Sequence, residues 1–145
     1  MKTNLLCLFL TACFYHFSFA SIQLTQSDRD TSEVRSLLDK YESLKYDNQV
    51  EAENQVRKAL ALAKSLAYDR GFVDSQLAIG AMLEMQSSYD SALIYFEQAY
   101  AGAKQFGYKN GLIRSLIGQG KTYRSISEWD KAIPPLKQAL EILQS

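Results

Sequence analysis

Three alanines, Ala52, Ala92 and Ala132, stand 40 residues apart, and a second set, Ala59, Ala99 and Ala139, follows each of them by seven. A fixed period of this length marks a repeat architecture. Each unit is then a supersecondary element that buries its apolar face only by stacking on its neighbours. Other positions keep the same step: Val56, Phe96 and Leu136; Gly80 and Gly120; Tyr89 and Trp129; Asp90 and Asp130; Leu60, Tyr100 and Leu140. The stretches 63–71 and 103–111 align without a gap.

Each unit reads as two helices. Positions 92, 93, 96, 99, 100 and 103 are apolar at spacings of three and four, one stripe of a helix. Positions 112, 113, 116, 117, 120 and 123 give a second stripe ahead of the next unit's counterpart. Polar turns separate the two, Gln86-Ser87-Ser88 and Ser125-Ile126-Ser127. Ser87 with Asp90, and Ser127 with Asp130, have the spacing of a helix N-terminal cap. Gly71 and Gly111 are expected to close the long second helices in a left-handed conformation. Gly80 and Gly120 should admit a close helix partner, with Phe96, Leu136 and Trp129 filling the space between units. The fold class is therefore all-α: helix-turn-helix repeats stacked as an α-solenoid. Pro134-Pro135 is the one local conflict. Either the last helix begins near Asp130, so that these are tolerated first-turn prolines, or it is kinked.

This unit resembles the tetratricopeptide repeat, with its pattern W-x2-L-G-x2-Y followed by A-x3-F-x2-A. The second unit offers Ile79-Gly80-x2-Leu83, then Ala92-x3-Phe96-x2-Ala99. The third offers Gln119-Gly120-x2-Tyr123, then Ala132-x3-Leu136-x2-Ala139. The first is degenerate: Ala52, Val56 and Ala59 match, but Asp39-Lys40 replaces the Leu-Gly pair. Lys64 and Lys104 replace the usual closing proline, which fits a longer second helix. Three units are expected over 33–72, 73–112 and 113–145, after a polar lead over 21–32.

The first 20 residues read as a signal peptide. Lys2 supplies the positive start, 5–15 is almost wholly apolar, and Ser18-Phe19-Ala20 ends in small residues, so cleavage is expected after Ala20. The mature chain would be periplasmic or secreted, with no membrane insertion. Two alternatives stand beside this reading: a lipoprotein processed at Cys13, because Leu10-Thr11-Ala12-Cys13 resembles a lipobox, and an uncleaved anchor.

That cut matters for chemistry. Cys7, Cys13 and His16 all lie within the leader. Disulfides, Cys/His zinc sites and His-based catalysis are therefore excluded from the mature chain, and no enzyme, metal or cofactor is expected. The chain's 16 basic and 16 acidic residues balance; no nucleic-acid partner is expected. Gly118-x-Gly120-Lys121-Thr122 is only a fragment of a phosphate loop, lacking its first glycine and preceding strand.

What remains is a surface for a protein or peptide. The resemblance implies that ligand contacts fall on the inner, first helices: Leu37 and Tyr41; then Asp74, Leu77, Ala81, Glu84 and Met85; then Arg114, Ile117, Lys121 and Arg124. Arg114, Lys121 and Arg124 share one helix side, a basic stripe suited to acidic groups or a carboxylate. The set of a chaperone-tail carboxylate clamp is not reproduced, since Leu37, Ala78 and Gly118 stand where polar groups would be needed. The resemblance also extends to the extracytoplasmic input regions of bacterial sensor kinases. The expected function is a non-catalytic interaction module outside the cytoplasm, as the sensing region of a signalling protein, or alternatively a lipid-anchored envelope assembly factor. The apolar stripe running to Leu143 leaves three readings: self-association through the last repeat, capping of a partner, or a longer protein.

Overall fold

The computed structural model describes residues 31–145. The signal peptide, its cleavage after Ala20, the Cys13 alternative and residues 21–30 of the polar lead lie outside them. Residues 31–44 are helical and form α1. They are followed by α2 (Gln49–Ser65), α3 (Asp69–Met85), α4 (Tyr89–Gln105), α5 (Lys109–Ser125) and α6 (Trp129–Gln144). From α2 to α6 each helix packs on the next, and α3 also meets α5; α1 packs on α2 through Val34 and is tied to α3 through Tyr41, so first helices stack on first helices. This is the α-solenoid.

The helix starts at 49, 69, 89, 109 and 129 fall every 20 residues. Helices α2 to α5 are each 17 residues long. The 40-residue unit is thus two equal halves, not a short helix followed by a long one. The helical pairs begin at Asp69 and Lys109, ahead of positions 73 and 113.

The turns explain this regularity. After each of four helices one residue adopts a left-handed backbone: Ala67 at φ 50°, Ser87 at 59°, Gly107 at 65° and Ser127 at 65°. The following amide then reaches back to a carbonyl inside the helix: Tyr68 to Ala63 at 2.9 Å, Ser88 to Leu83 at 2.8 Å, Tyr108 to Ala103 at 2.8 Å and Glu128 to Tyr123 at 2.9 Å. These bonds satisfy carbonyls that the helix end would otherwise leave open.

The closing residues are therefore not Gly71 and Gly111. Both glycines lie within the first turn of α3 and α5, buried against Tyr68 and Tyr108. Ser87 and Ser127 do not cap the next helix either. Their left-handed backbone assigns them to the preceding helix end, and Ser88 and Glu128 occupy the N-cap positions without a side-chain cap bond. Asn48 does cap α2, its side chain accepting from the Glu51 amide at 3.1 Å.

Pro134 and Pro135 sit one turn beyond the first in α6. They are neither first-turn residues nor a break in the assigned helix. The carbonyls they deprive of a donor belong to Asp130 and Lys131, which are exposed, where water can serve. Trp129 is also displaced from its expected role: it is 59% exposed and fills no space between units.

The ring of Phe96 is the centre of the packing. A Cβ on Gly80 of α3 would lie 2.8 Å from it, and one on Gly118 of α5 would lie 2.5 Å from it. One buried side chain of α4 is thus pressed between glycines of two successive first helices. Val56 and Ala78 hold the repeat positions of Phe96 and Gly118, and share a cluster with Tyr41 and Ile79. Where the first helix carries alanine the second helix carries valine, and where it carries glycine the second carries phenylalanine. Gly118→Ala should overpack this contact and cost about 1–3 kcal/mol. Phe96→Val should cost less in that background than in the parent, by about 1 kcal/mol or more, in a urea-unfolding double-mutant cycle. Additive effects would refute the pairing.

Candidate functional site: the groove along the first helices

Two adjoining hollows run along α1, α3 and α5. The first, about 280 Å³, lies between Arg35, Leu38, Asp39, Tyr41 and Glu42 of α1, Asp74 and Ala78 of α3, and Arg114 of α5. The second, about 210 Å³, is lined by Leu77, Ala81 and Glu84 of α3, by Arg114, Ile117, Gly118 and Lys121 of α5, and by Phe96 from below. Arg114 borders both, so the two adjoin along one groove face with charged rims, and the second has an apolar floor. The first helices line it because the second helices turn their alanines inward and keep their other faces outside.

Most of the residues expected on the inner face are brought together here. Leu77 is buried in the floor, Ala81 is half-buried beside it, and Ile117 is exposed above. Tyr41 is 1% exposed and works mainly as a tie between α1 and α3, its hydroxyl donating to the Ala78 carbonyl at 3.0 Å. Burial, with Glu42 and Tyr46 nearby, pushes this phenol up to about 12. Leu37 is not part of the groove. It packs on the Val34, Ala59 and Ala63 cluster and borders a hollow towards α2. Met85 faces a separate crevice with Lys45 and Gln49 at the α1–α2 turn. Arg124 is exposed in the last turn of α5.

The basic stripe is not three free cations. Arg114 Nη1 donates to Asp74 Oδ1 at 2.7 Å, and Tyr108 Oη lies 3.3 and 3.4 Å from the two carboxylate oxygens. Arg70 stands 5.5 Å from the centre of the Tyr108 ring. Burial pushes the Asp74 carboxyl up, outweighing the pull of Arg114, Tyr108 and Arg70 in the other direction. Burial and the neighbouring carboxylate raise the Tyr108 phenol as well. Sequence reading placed Asp74 and Arg114 separately and overlooked Tyr108, Arg35, Asp39 and Glu42. One signal was available: residues 74 and 114 share a repeat position and carry opposite charges.

No constellation of nucleophile and base forms in the groove. The Gly118–Thr122 run lies inside α5, and Thr122 is buried with its hydroxyl donating to the Gly118 carbonyl at 2.9 Å. Its amides belong to the helix, so it makes no phosphate cradle. Among the described residues there is no group of His, Cys, Asp and Glu that could hold a metal ion, and no helix is long and apolar enough to cross a membrane.

Stacked helical hairpins with adjoining hollows along their first helices define a repeat scaffold. The tetratricopeptide repeat family model matches residues 71–145, over half of the chain, and the chain belongs to that family. The match takes in the second and third units; the degenerate first unit falls outside it. No curated protein and no solved structure matches the chain. Repeats of this family are in general protein–protein interaction modules, typically without catalysis.

The raised Asp74 carboxyl fixes a sign. Its protonated form is favoured by folding, so its contribution to stability is fully present below the ordinary carboxylate pKa. It is lost as pH rises through the folded value. Asp74→Asn should therefore gain stability relative to the parent between pH 3 and pH 7, measured by urea unfolding at both. A relative loss over that range would show that the ion pair, not burial, dominates.

Proposed function

We propose that this chain is a non-catalytic docking module that holds a protein or peptide segment in the groove of α1, α3 and α5. One observation carries the reading: the first helices of three units line two hollows that adjoin at Arg114, both with charged rims and the second with an apolar floor at Leu77 and Ala81. Asp39 and Glu42 lie with Arg35 at the α1 end, Glu42 being paired with Lys45, while Glu84 and Lys121 rim the α5 end, where Arg114 is paired with Asp74. An apolar segment with an acidic group placed to reach Lys121 fits the floor and rim of the second hollow. The confinement of both cysteines and the one histidine to residues 7–16 supports the absence of catalysis.

A display selection of random peptides against the chain tests this. Selected peptides should carry an acidic residue next to an apolar one, and Ile117→Glu with Lys121→Glu should weaken them at least about 10-fold, or 1.4 kcal/mol. Binders unaffected by these changes would place docking elsewhere.

We further propose that the module works outside the cytoplasm, as the input region of a signalling protein, after removal of residues 1–20. The apolar stretch 5–15 and the Ser18-Phe19-Ala20 triplet support export. Intact-mass measurement of the protein recovered from an expressing cell checks this. A chain beginning at Ser21 is expected. A lipid-modified chain beginning at Cys13 would favour the envelope assembly factor instead, and an unprocessed chain would overturn export by this route.

A further inference from the structure

One surface lies apart from the groove and has no role in it. Along α6, Trp129, Ile133, Leu136, Leu140 and Leu143 follow at steps of four, three, four and three, and all are exposed, Leu136 least because it also rests against Gly120 of α5. Ile133 is 62% exposed and Leu143 65%. Ala132 and Ala139 of the same helix are buried against the body of the protein, so the stripe lies beside the face that α6 already uses. Alternating steps of three and four give the mean period of 3.5 that lets two helices pack along a seam. Pro134 and Pro135 fall at positions between those of the seam and do not interrupt it.

The seam is also self-complementary. In an antiparallel pair centred between residues 134 and 135, Trp129 lies opposite Leu140 of the other copy, and Ile133 lies opposite Leu136. The same register sets Asp130 beside Lys137 of the other copy, twice by symmetry. Asp130 and Lys137 are exposed and make no ion pair among the described residues. A two-fold contact requires one patch to complement itself, and this patch does so in spacing, polarity and charge.

We propose that the α6 seam docks the α6 of a second copy of this chain in this antiparallel register. The seam is about 21 Å long at 1.5 Å per residue, shorter than the faces of stable dimers, so the association is weak, with a dissociation constant of about 10–100 μM. It leaves the groove of α1, α3 and α5 open in both copies. It is independent of what the groove binds.

Sedimentation of the full chain between about 5 and 300 μM tests it, because that range brackets the expected constant. The parent is expected to shift from monomer to dimer, and Ile133→Glu to remain monomeric with an unchanged helical circular dichroism spectrum. Residues 1–30 are common to all variants, so differences between them report on α6. Two further variants keep the register testable. Asp130→Lys and Lys137→Asp should each fail to dimerise alone, but should form a heterodimer when mixed, because the mixture restores both opposite-charge pairs. A parent that stays monomeric throughout overturns the proposal and leaves the seam to a different chain. A dimer that survives Ile133→Glu, or the absence of the mixed heterodimer, overturns it too.

Discussion

The position of Phe96 between two glycines sets the geometry on which the rest of this molecule depends. Helix α4 could pack against α3 through its alanines alone. The ring does more, because it reaches past Gly80 to Gly118 and fixes α5 against the same side chain. Packing within one unit and packing between units thus become a single contact. Interiors at this density have little room to slide, so the ring also determines the height of α5 relative to α3. The groove inherits that register. Its floor at Leu77, Ala81 and Gly118 has Phe96 directly beneath it.

The ion pair across the groove is a consequence of this register rather than its cause. Asp74 and Arg114 stand at equivalent positions of neighbouring first helices, and stacking brings them to 2.7 Å. Burial raises the Asp74 carboxyl despite this partner, so the pair contributes little net stability. Its effect is on the surface presented to a ligand. It neutralises the cation that borders both hollows and sets a polar bridge between them. Either side of that bridge both signs are present: Arg35, Asp39 and Glu42 around one hollow, Glu84 and Lys121 around the other.

Much of the fold was legible from residues alone, and for a definite reason. Repeat proteins make the same local contact several times, so Ala52, Ala92 and Ala132 report one packing position three times over. Helix number, helix order and the small-residue contacts follow from that redundancy. The turns were less legible because their chemistry is not repeated in residue type. The four left-handed positions are Ala, Ser, Gly and Ser, and only one is the glycine that signals such a conformation. Gly71 and Gly111 drew that role by composition, whereas close approach to Tyr68 and Tyr108 is what requires them small. Trp129 was misplaced for a related reason: it keeps the period of Tyr89, but period does not say which face of a helix is covered.

The sequence by itself determined the all-α class, the 40-residue unit, the apolar stripes of α4 and α5 and the retreat of Cys and His to the N-terminal segment, since these depend only on spacing and composition. Tertiary structure decided which residues meet across units. It paired Arg114 with Asp74, turned Leu37 away from the groove, buried Tyr41 at an α1–α3 tie, and left the α6 seam open. The division has a physical cause. Amphipathic period is a property of one helix, whereas the identity of a partner depends on the rotation and height at which helices stack. In this chain Phe96, Gly80 and Gly118 fix that stacking by contact, across 16 residues of sequence on one side and 22 on the other.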